Sequence, residues 1–252
     1  MRNRNNGSEG EVKMKRRDFL GLSAAFAAAG CVTGEKKAVD AVTHATPVVP
    51  WRPFPDAKKV RVVQWGMRHE HADGKFHSLR RLPDDYELVG IVDDRDFKIF
   101  DGVPRLTPEQ VWADKTIQCV FVEVTNDDLI PVAWQVAKHG LAMHLDKPCG
   151  QNFRKFEALM AFCKARGLPV QIGYMFRVNP AIRFCQKAVK EGWLGEIISV
   201  EADMYHDYGS RNYNAYIASF KGGLMYNLGC HLIDFILPMM PGLPARAHVV
   251  RL

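Results

Sequence analysis

Residues Leu141 to Asn152 read LAMHLDKPCGQN, and a Lys-Pro pair here directly follows a short apolar run. A run of this length and composition predicts a buried parallel strand. In doubly wound sheets, the groups that bind ligands lie at the carboxyl ends of the strands. The segment therefore predicts both the class of sheet and the position of a functional site.

Apolar runs and helical spacings alternate on both sides of this strand. Strands are predicted at residues 59–65, 86–92, 117–124, 141–145 and 170–174, and helices at 71–81, 107–112, 129–139 and 153–165. This alternation indicates an α/β fold, a Rossmann-like doubly wound parallel sheet with helices on both faces. We assign residues 58–175 to this domain.

The pattern changes after residue 175. A helix at 181–190 is followed by a long strand at 197–205, an apolar helix at 224–237 and the start of another strand at 246–252. This change of pattern indicates a second region of the α+β class over residues 176–252.

The amino terminus has the composition of an export signal. Residues 15–20 read KRRDFL, and an apolar stretch of ten residues leads to Cys31. This order is typical of a twin-arginine signal, and the stretch is shorter than the roughly 20 residues of a membrane span. We predict an export signal over residues 1–31, with the export machinery as partner. Whether Cys31 then carries a lipid anchor is left open by the sequence. The protein would then be periplasmic, or held at the membrane by lipid, with 32–57 as a proline-rich linker.

Composition excludes several other classes of protein. The net charge of +6 owes much to basic residues before residue 38, and no basic patch interleaved with aromatic residues follows. Nucleic-acid binding is therefore not predicted. The six cysteines lack CxxC spacing, and no metal site is predicted.

Three motifs together resemble the glucose-fructose oxidoreductase / inositol dehydrogenase / MocA family. They are the turn at Gly66, the Asp-Lys-Pro triplet at residues 146–148, and GGLMYNLGCHLID at residues 222–234. The resemblance implies an NAD(P)-dependent oxidoreductase that acts on CH–OH groups of a sugar, polyol or related carbohydrate. It also implies that Lys147 favours the substrate alkoxide and that His231 is the general acid/base. For residues 176–252 the resemblance implies a substrate and oligomerisation domain with an open, mostly antiparallel sheet. Such a sheet needs more strands than this region offers, so we expect the domain to be truncated, and we expect the full-length protein to form homo-oligomers.

The resemblance further implies a set of binding residues. Substrate-binding residues would be Arg177, Asn227 and Asp234, although Arg177 could equally anchor the turn between the domains. Cofactor-binding residues would be Gly66, Arg68, His71, Asp93, Thr125, Asn126, Asp146 and Pro148. Asp93, at the end of the second strand, favours NAD because a carboxylate repels the 2′-phosphate of NADP, but Arg95 nearby leaves NADP as an alternative.

Two departures from the family pattern leave the chemistry open. Only Gly66 of the G-x-G-x-x-G fingerprint is present, because Arg68 and His71 replace the other two glycines. Asn227 replaces an aspartate that many of the dehydrogenases carry, and an amide cannot relay a proton. The alternatives are a glycosidase that uses NAD transiently and a carbohydrate-binding relative without catalytic activity.

Overall fold

The computed structural model describes residues 58–95, 100, 102–205 and 211–240. The predicted signal, linker and final strand lie outside this range. Five strands form one sheet: β1 (Val60–Trp65), β2 (Tyr86–Val92), β3 (Cys119–Val122), β4 (Ala142–Leu145) and β5 (Val170–Ile172). All adjacent strands are parallel, in the order β2-β1-β3-β4-β5, which confirms the predicted α/β class. The order reverses between β1 and β3, where doubly wound sheets bind ligands.

Helices connect the strands and continue beyond the last one. They are α1 (Ala72–Arg81), α2 (Pro108–Ala113), α3 (Asn126–Lys138), α4 (Phe153–Ala165), α5 (Pro180–Lys190), α6 (Arg211–Ala218) and α7 (Cys230–Ile236). Side chains at the amino ends explain several boundaries. Thr107 and Gln110 form a capping box, and Thr125 and Asn152 accept hydrogen bonds from the first turns of α3 and α4. Helix α3 begins three residues earlier than predicted because Thr125 is its cap.

The two faces of the sheet differ in chemistry. Trp65, Val122 and Leu145 share one row of the sheet, are buried and belong to the main hydrophobic core with α2, α3 and α4. The preceding row contains Gln64, Phe121 and His144, and its side chains point to the opposite face because strand side chains alternate. Polar groups are therefore buried on the face that α1 covers.

The region after β5 differs from the prediction. Residues 197–205 form no strand, and the side chains of Ile198 and Tyr205 are 96% and 89% exposed. A strand needs a neighbour for its backbone hydrogen bonds, and no described residue after Ile172 supplies one. The predicted helix at 224–237 is present as a π-turn, Met225–Gly229, followed by α7 and a 3-10 turn, Leu237–Met239. Among the helices described, none is both long and apolar enough to cross a membrane.

The turn after β1 gives a stability test. Gly66 has φ +90°, and a Cβ atom there would lie 2.6 Å from Val124 Cγ1 and 2.9 Å from the Glu123 carbonyl oxygen. Gly66→Ala should therefore lower the free energy of unfolding by roughly 1–3 kcal/mol. Gly74, inside α1, faces open space, and Gly74→Ala should instead raise stability by up to about 1 kcal/mol. Urea unfolding followed by circular dichroism compares them, and equal effects would contradict the strained turn.

Candidate active site at the carboxyl end of the sheet

Lys147 follows β4 and is almost completely buried, at 2% exposure. Its Nζ donates to Asn227 Oδ1 at 2.9 Å and to the Asn227 carbonyl oxygen at 3.3 Å, and lies 3.4 Å from Glu70 Oε1. The next residue, Pro148, is joined by a cis peptide bond. The structure thus brings a buried ammonium group against a neutral amide, with one carboxylate at the edge.

His231 lies one helical turn after Asn227 and is also buried. The edges of Tyr174 and Phe176 pack against its ring, with centroid distances of 5.8 and 5.2 Å. Burial, and then the charge of Lys147, lower the pKa of His231 to about 4, and its Nδ1 has no hydrogen-bond partner. A neutral imidazole beside a buried ammonium can accept a proton from a bound hydroxyl group.

Arg177 and Asp234, both predicted to bind substrate, pair with each other. Arg177 Nε lies 3.0 and 2.9 Å from the two carboxylate oxygens of Asp234, and Nη2 lies 2.5 Å from Oδ1. This hydrogen bonding raises the pKa of Arg177 above its ordinary value. The bidentate pair ties the turn at Met175–Val178 to α7. That is the anchoring role that the sequence left open, while substrate contact stays a prediction.

The residues predicted to bind the adenosine end of a cofactor are already hydrogen-bonded. Asp93 accepts from the backbone N–H groups of Met67, at 2.8 Å, and Arg95, at 2.9 Å. Burial works to raise the pKa of Asp93, but hydrogen bonds from Arg95 and Met67 hold it below its ordinary value. Arg68 Nη2 lies 2.8 Å from Oδ1 of the exposed Asp94. The Arg95 guanidinium also pairs with Asp93, with its Nε 3.3 Å from Oδ1, so the choice between NAD and NADP stays a prediction.

The crevice between β1 and β3 has features that fit a dinucleotide. The side-chain oxygen and nitrogen of Asn126 are buried and have no hydrogen-bond partner, although such atoms are costly to leave unpaired. A polar ligand group would satisfy them. One feature differs from the usual phosphate loop, because the N–H groups of Arg68 and His69 both donate to the Glu123 carbonyl oxygen at 3.0 Å. Phosphates would find fewer free donors here than at a G-x-G-x-x-G turn.

A second group of polar residues, most of them buried, adjoins the lysine site, and sequence analysis named only His71 and Asp146 among them. This group lies between α1 and the sheet, and we call it the α1 cluster: Gln64, His69, His71, Lys75, Glu123, His144 and Asp146. Asp146 is at its centre and is completely buried. Its carboxylate lies 3.0 Å from His71 Nδ1, 2.8 Å from Lys75 Nζ and 2.6 Å from the Lys147 backbone nitrogen. Lys75 Nζ is also 2.6 Å from His144 Nε2.

Burial perturbs the titration of several members of the α1 cluster. The pKa of Glu123 is raised to about 8, chiefly by burial, and neither of its oxygens has a hydrogen-bond partner. Burial also lowers the pKa values of His69 and His144 to about 4. Burial opposes ionisation of Asp146 too, but the hydrogen bond from His71 and the charge of Lys75 hold its pKa far below its ordinary value. At neutral pH, the cluster thus contains an ionised Asp146 beside a Glu123 that favours its protonated form.

The sequence signal for this cluster is a single polar residue within each of three apolar strand segments. Gln64, Glu123 and His144 each interrupt such a run, and His69 and His71 have His-x-His spacing. Strand register, which the sequence does not give, brings them together. Two groups among them could hold a cation, with ligand atoms within 4.8 Å of one another: His69, His71, Asp146 and Glu123, His144, Asp146.

The fold and the site together define a Rossmann-like protein with a lysine–histidine site at the end of its sheet. Residues 182–251 match the model of the GFO/IDH/MocA C-terminal domain. The chain is 23% identical over 138 residues to D-apiose dehydrogenase of Paraburkholderia graminis, which is 53% of this chain and 36% of that protein. These matches support the resemblance that the three motifs predict.

Solved structures share the fold. The myo-inositol 2-dehydrogenase of Lactobacillus plantarum superposes with a TM-score of 0.58 at 18% identity, covering 71% of this chain and 56% of that one. An NAD-binding protein from Listeria innocua superposes with a TM-score of 0.55 at 18% identity, covering 73% of this chain and 54% of that one. The chain spans little more than a third of the curated relatives that it matches and about half of these solved structures.

The raised pKa of Glu123 gives a pH test of stability. Because folding raises this pKa from 4.5 to about 8, the folded state loses stability as the pH rises through this interval. Glu123→Gln removes the ionisation. The variant's unfolding free energy, relative to the parent protein, should therefore rise by at least about 1 kcal/mol between pH 5 and pH 8.

Urea unfolding with a chelator present measures this difference without a contribution from bound cations. Titration of His69 and His144 occurs in both proteins and cancels to a first approximation. Glu157→Gln, an exposed position on α4, is the matched control and should leave the pH dependence unchanged. A constant difference between Glu123→Gln and the parent protein would show that Glu123 is ionised at neutral pH.

Proposed function

We propose that the chain is an oxidoreductase of the glucose-fructose oxidoreductase / inositol dehydrogenase / MocA family. It transfers hydride between a nicotinamide cofactor and a CH–OH group of a sugar, polyol or related carbohydrate. The observation that carries the proposal is the buried Lys147 ammonium, held 2.9 Å from Asn227 Oδ1 one helical turn from a neutral His231. Its similarity to D-apiose dehydrogenase supports a carbohydrate as substrate.

Each residue of this site has a distinct task in the proposed reaction. His231 accepts the hydroxyl proton of the substrate at Nδ1, the ring nitrogen that has no protein partner. Lys147 donates a hydrogen bond to the same oxygen and stabilises its developing negative charge, which is strong in a buried site. Asn227 orients the substrate through its side-chain nitrogen, which is buried and has no partner. A bound nicotinamide cofactor would supply the hydride acceptor for this reaction.

We further propose that the cofactor is NAD, with NADP as the alternative. Gly66 and Asn126 would line its crevice, and Asp93 would face the adenosine ribose. The remaining predicted contacts are Arg68, His71, Thr125, Asp146 and Pro148. Thr125 and Asp146 already have protein partners, as cap of α3 and centre of the α1 cluster, so their contribution would be to position this crevice.

Kinetics of single variants test the assignment. Lys147→Met and His231→Gln should each lower turnover by about 100-fold or more, because removal of a positioned acid/base group costs that much. NAD binding, followed by tryptophan fluorescence, should change little. NADH formation is measured with a panel that includes D-apiose and myo-inositol. Lys155→Met, an exposed lysine on α4, is the control. Full activity in His231→Gln would remove this histidine from the mechanism.

Asn227 favours one alternative function, because an amide there weakens proton relay. The alternative is a glycosidase that oxidises and re-reduces its substrate with bound NAD. Such an enzyme releases a sugar without net NADH, whereas a dehydrogenase accumulates NADH. Asn227→Asp distinguishes the two further: it should increase or broaden polyol oxidation if the neutral amide limits dehydrogenation. A carbohydrate-binding relative would do neither and would only bind sugar.

Export is a separate proposal, which rests on residues 15–31. Paired guanidinium groups identify a twin-arginine signal, so Arg16→Lys with Arg17→Lys should leave the protein in the cytoplasm. Lys36→Arg with Lys37→Arg preserves charge outside the motif and should not change its location. Cell fractionation measures both, and unchanged export of the first variant would refute this signal. If Cys31 carries a lipid, Cys31→Ala should move the exported protein from the membrane to the soluble periplasmic fraction.

We also propose that the complete protein forms homo-oligomers. Large apolar side chains are exposed after α5, including Trp193, Leu194 and Ile198, at 54%, 63% and 96%. Exposed large apolar side chains of this kind favour association.

A further inference from the structure

We propose that His69, His71 and Asp146 hold a divalent transition-metal ion at the amino end of α1. Asp146 is completely buried, and its oxygens lie 3.0 and 3.1 Å from His71 Nδ1 and 3.5 Å from His69 Nδ1. The three ligand atoms lie within 4.8 Å of one another. Two imidazole nitrogens and one carboxylate oxygen can thus converge on one ion after small side-chain shifts.

A second observation points independently to a cation. Glu123 is completely buried, and neither of its carboxylate oxygens has a hydrogen-bond donor. One of them, Oε2, lies 4.0 Å from His69 Nδ1 and so faces the same three groups. A buried carboxyl group without a close hydrogen-bond partner is costly in either protonation state, and a nearby divalent charge would pair with its ionised form. Glu123 is therefore placed to act as a fourth ligand or to hydrogen-bond a water bound to the ion.

The ligand types select the class of ion. Imidazole nitrogens suit Zn²⁺, Co²⁺, Fe²⁺ and Ni²⁺, whereas Mg²⁺ and Ca²⁺ prefer oxygen atoms throughout. Both histidines come from one short turn with His-x-His spacing, and the carboxylate comes from the end of β4. The side chain of His71 is 40% exposed, which leaves the ion open to solvent on that side. The site is therefore a partly open site for a transition metal.

Two contacts compete with the ion. The backbone N–H of His71 donates to His69 Nδ1 at 3.2 Å, and this bond must give way for Nδ1 to bind a metal. Lys75 Nζ lies 2.8 Å from Asp146 Oδ2 and 3.5 Å from Glu123 Oε1, so its ammonium already supplies one positive charge. An ion at Asp146 is repelled by this charge. Removal of the Lys75 charge should therefore strengthen metal binding, a result that an ordinary lysine-centred ion network does not predict.

This inference departs from the sequence expectation of no metal site, which rested on the cysteines. Its test is separate from that of the proposed dehydrogenase activity, because binding is measured without nicotinamide or sugar, although His71 and Asp146 are also predicted cofactor contacts. Failure to bind metal would leave the roles of Lys147 and His231 intact, and failure of the kinetic test would leave the metal site intact.

The experiment uses the full chain, stripped with chelator and dialysed, and titrates it with Zn²⁺ in a calorimeter and with Co²⁺ by visible absorption. We expect one ion per chain and a cobalt spectrum with nitrogen and oxygen ligands. His71→Ala and Asp146→Asn should each weaken binding by about 10-fold or more. His77→Ala, a half-exposed histidine on α1 that pairs with Asp73, should bind like the parent protein. Lys75→Met should bind several-fold more tightly.

Absence of saturable binding by the parent protein would overturn the proposal, and so would equal affinity of His71→Ala and the parent protein. If Asp146→Asn fails to fold, His71→Ala decides, because its ring is partly exposed. Thermal unfolding adds an independent readout, since a ligand that binds the folded state raises its melting temperature. Zn²⁺ should raise the melting temperature of Lys75→Met more than that of the parent protein, and no shift in either would also count against the site.

Discussion

The burial of two opposite charges on adjacent residues, Asp146 and Lys147, organises the functional end of this molecule. Successive side chains of a strand point to opposite faces, and this alternation continues past the end of β4. The Asp146 carboxylate therefore joins the α1 cluster, whereas the Lys147 ammonium contacts Asn227 in the π-turn before α7. The backbone N–H of Lys147 also donates a hydrogen bond of 2.6 Å to Asp146 Oδ1. Neither charge could remain buried without the partners that the other elements supply.

The same alternation explains why one face of the sheet is apolar and the other is partly polar. The face toward α3 and α4 is packed with valine, leucine and methionine side chains and gives the domain its stability. On the opposite face, Gln64 donates to the Ala72 carbonyl oxygen at 3.0 Å and so fixes the start of α1. Phe121 stacks on His144 with a centroid distance of 4.7 Å, which shields part of the polar row. The larger core thus lies on the apolar face, whereas the polar row shares its side of the sheet with the smaller core of Phe76, Ile91 and Phe100.

Local patterns were sufficient to predict most of the sheet and the helices. Short apolar runs predicted all five strands, and Thr107 followed by proline predicted α2 together with its cap. The predicted strand at 197–205 was wrong. Alternating side chains indicate that a segment can form a strand, but a strand also needs a neighbour to pair with, and no described residue provides one. Motif resemblance named Lys147, Asn227 and His231, and the structure places Lys147 2.9 Å from Asn227 Oδ1, one helical turn before His231; their catalytic roles stay predictions. It could not predict the α1 cluster, because that cluster depends on the register of three strands and on side chains from α1.

The turn between β1 and α1 connects the α1 cluster to the crevice between β1 and β3. A G-x-G-x-x-G turn presents free N–H groups to phosphate, and its glycines let the backbone approach closely. Here the N–H groups of Arg68 and His69 point inward to the Glu123 carbonyl oxygen, and His71 occupies the third glycine position with its ring on Asp146. A turn that ordinarily binds an anion through its backbone N–H groups here positions histidine side chains next to carboxylates. This change in local charge, from N–H donors to imidazole and carboxylate groups, favours a cation next to the crevice. It also implies that any dinucleotide is held less by this turn than by Asn126 and the groups on the facing side.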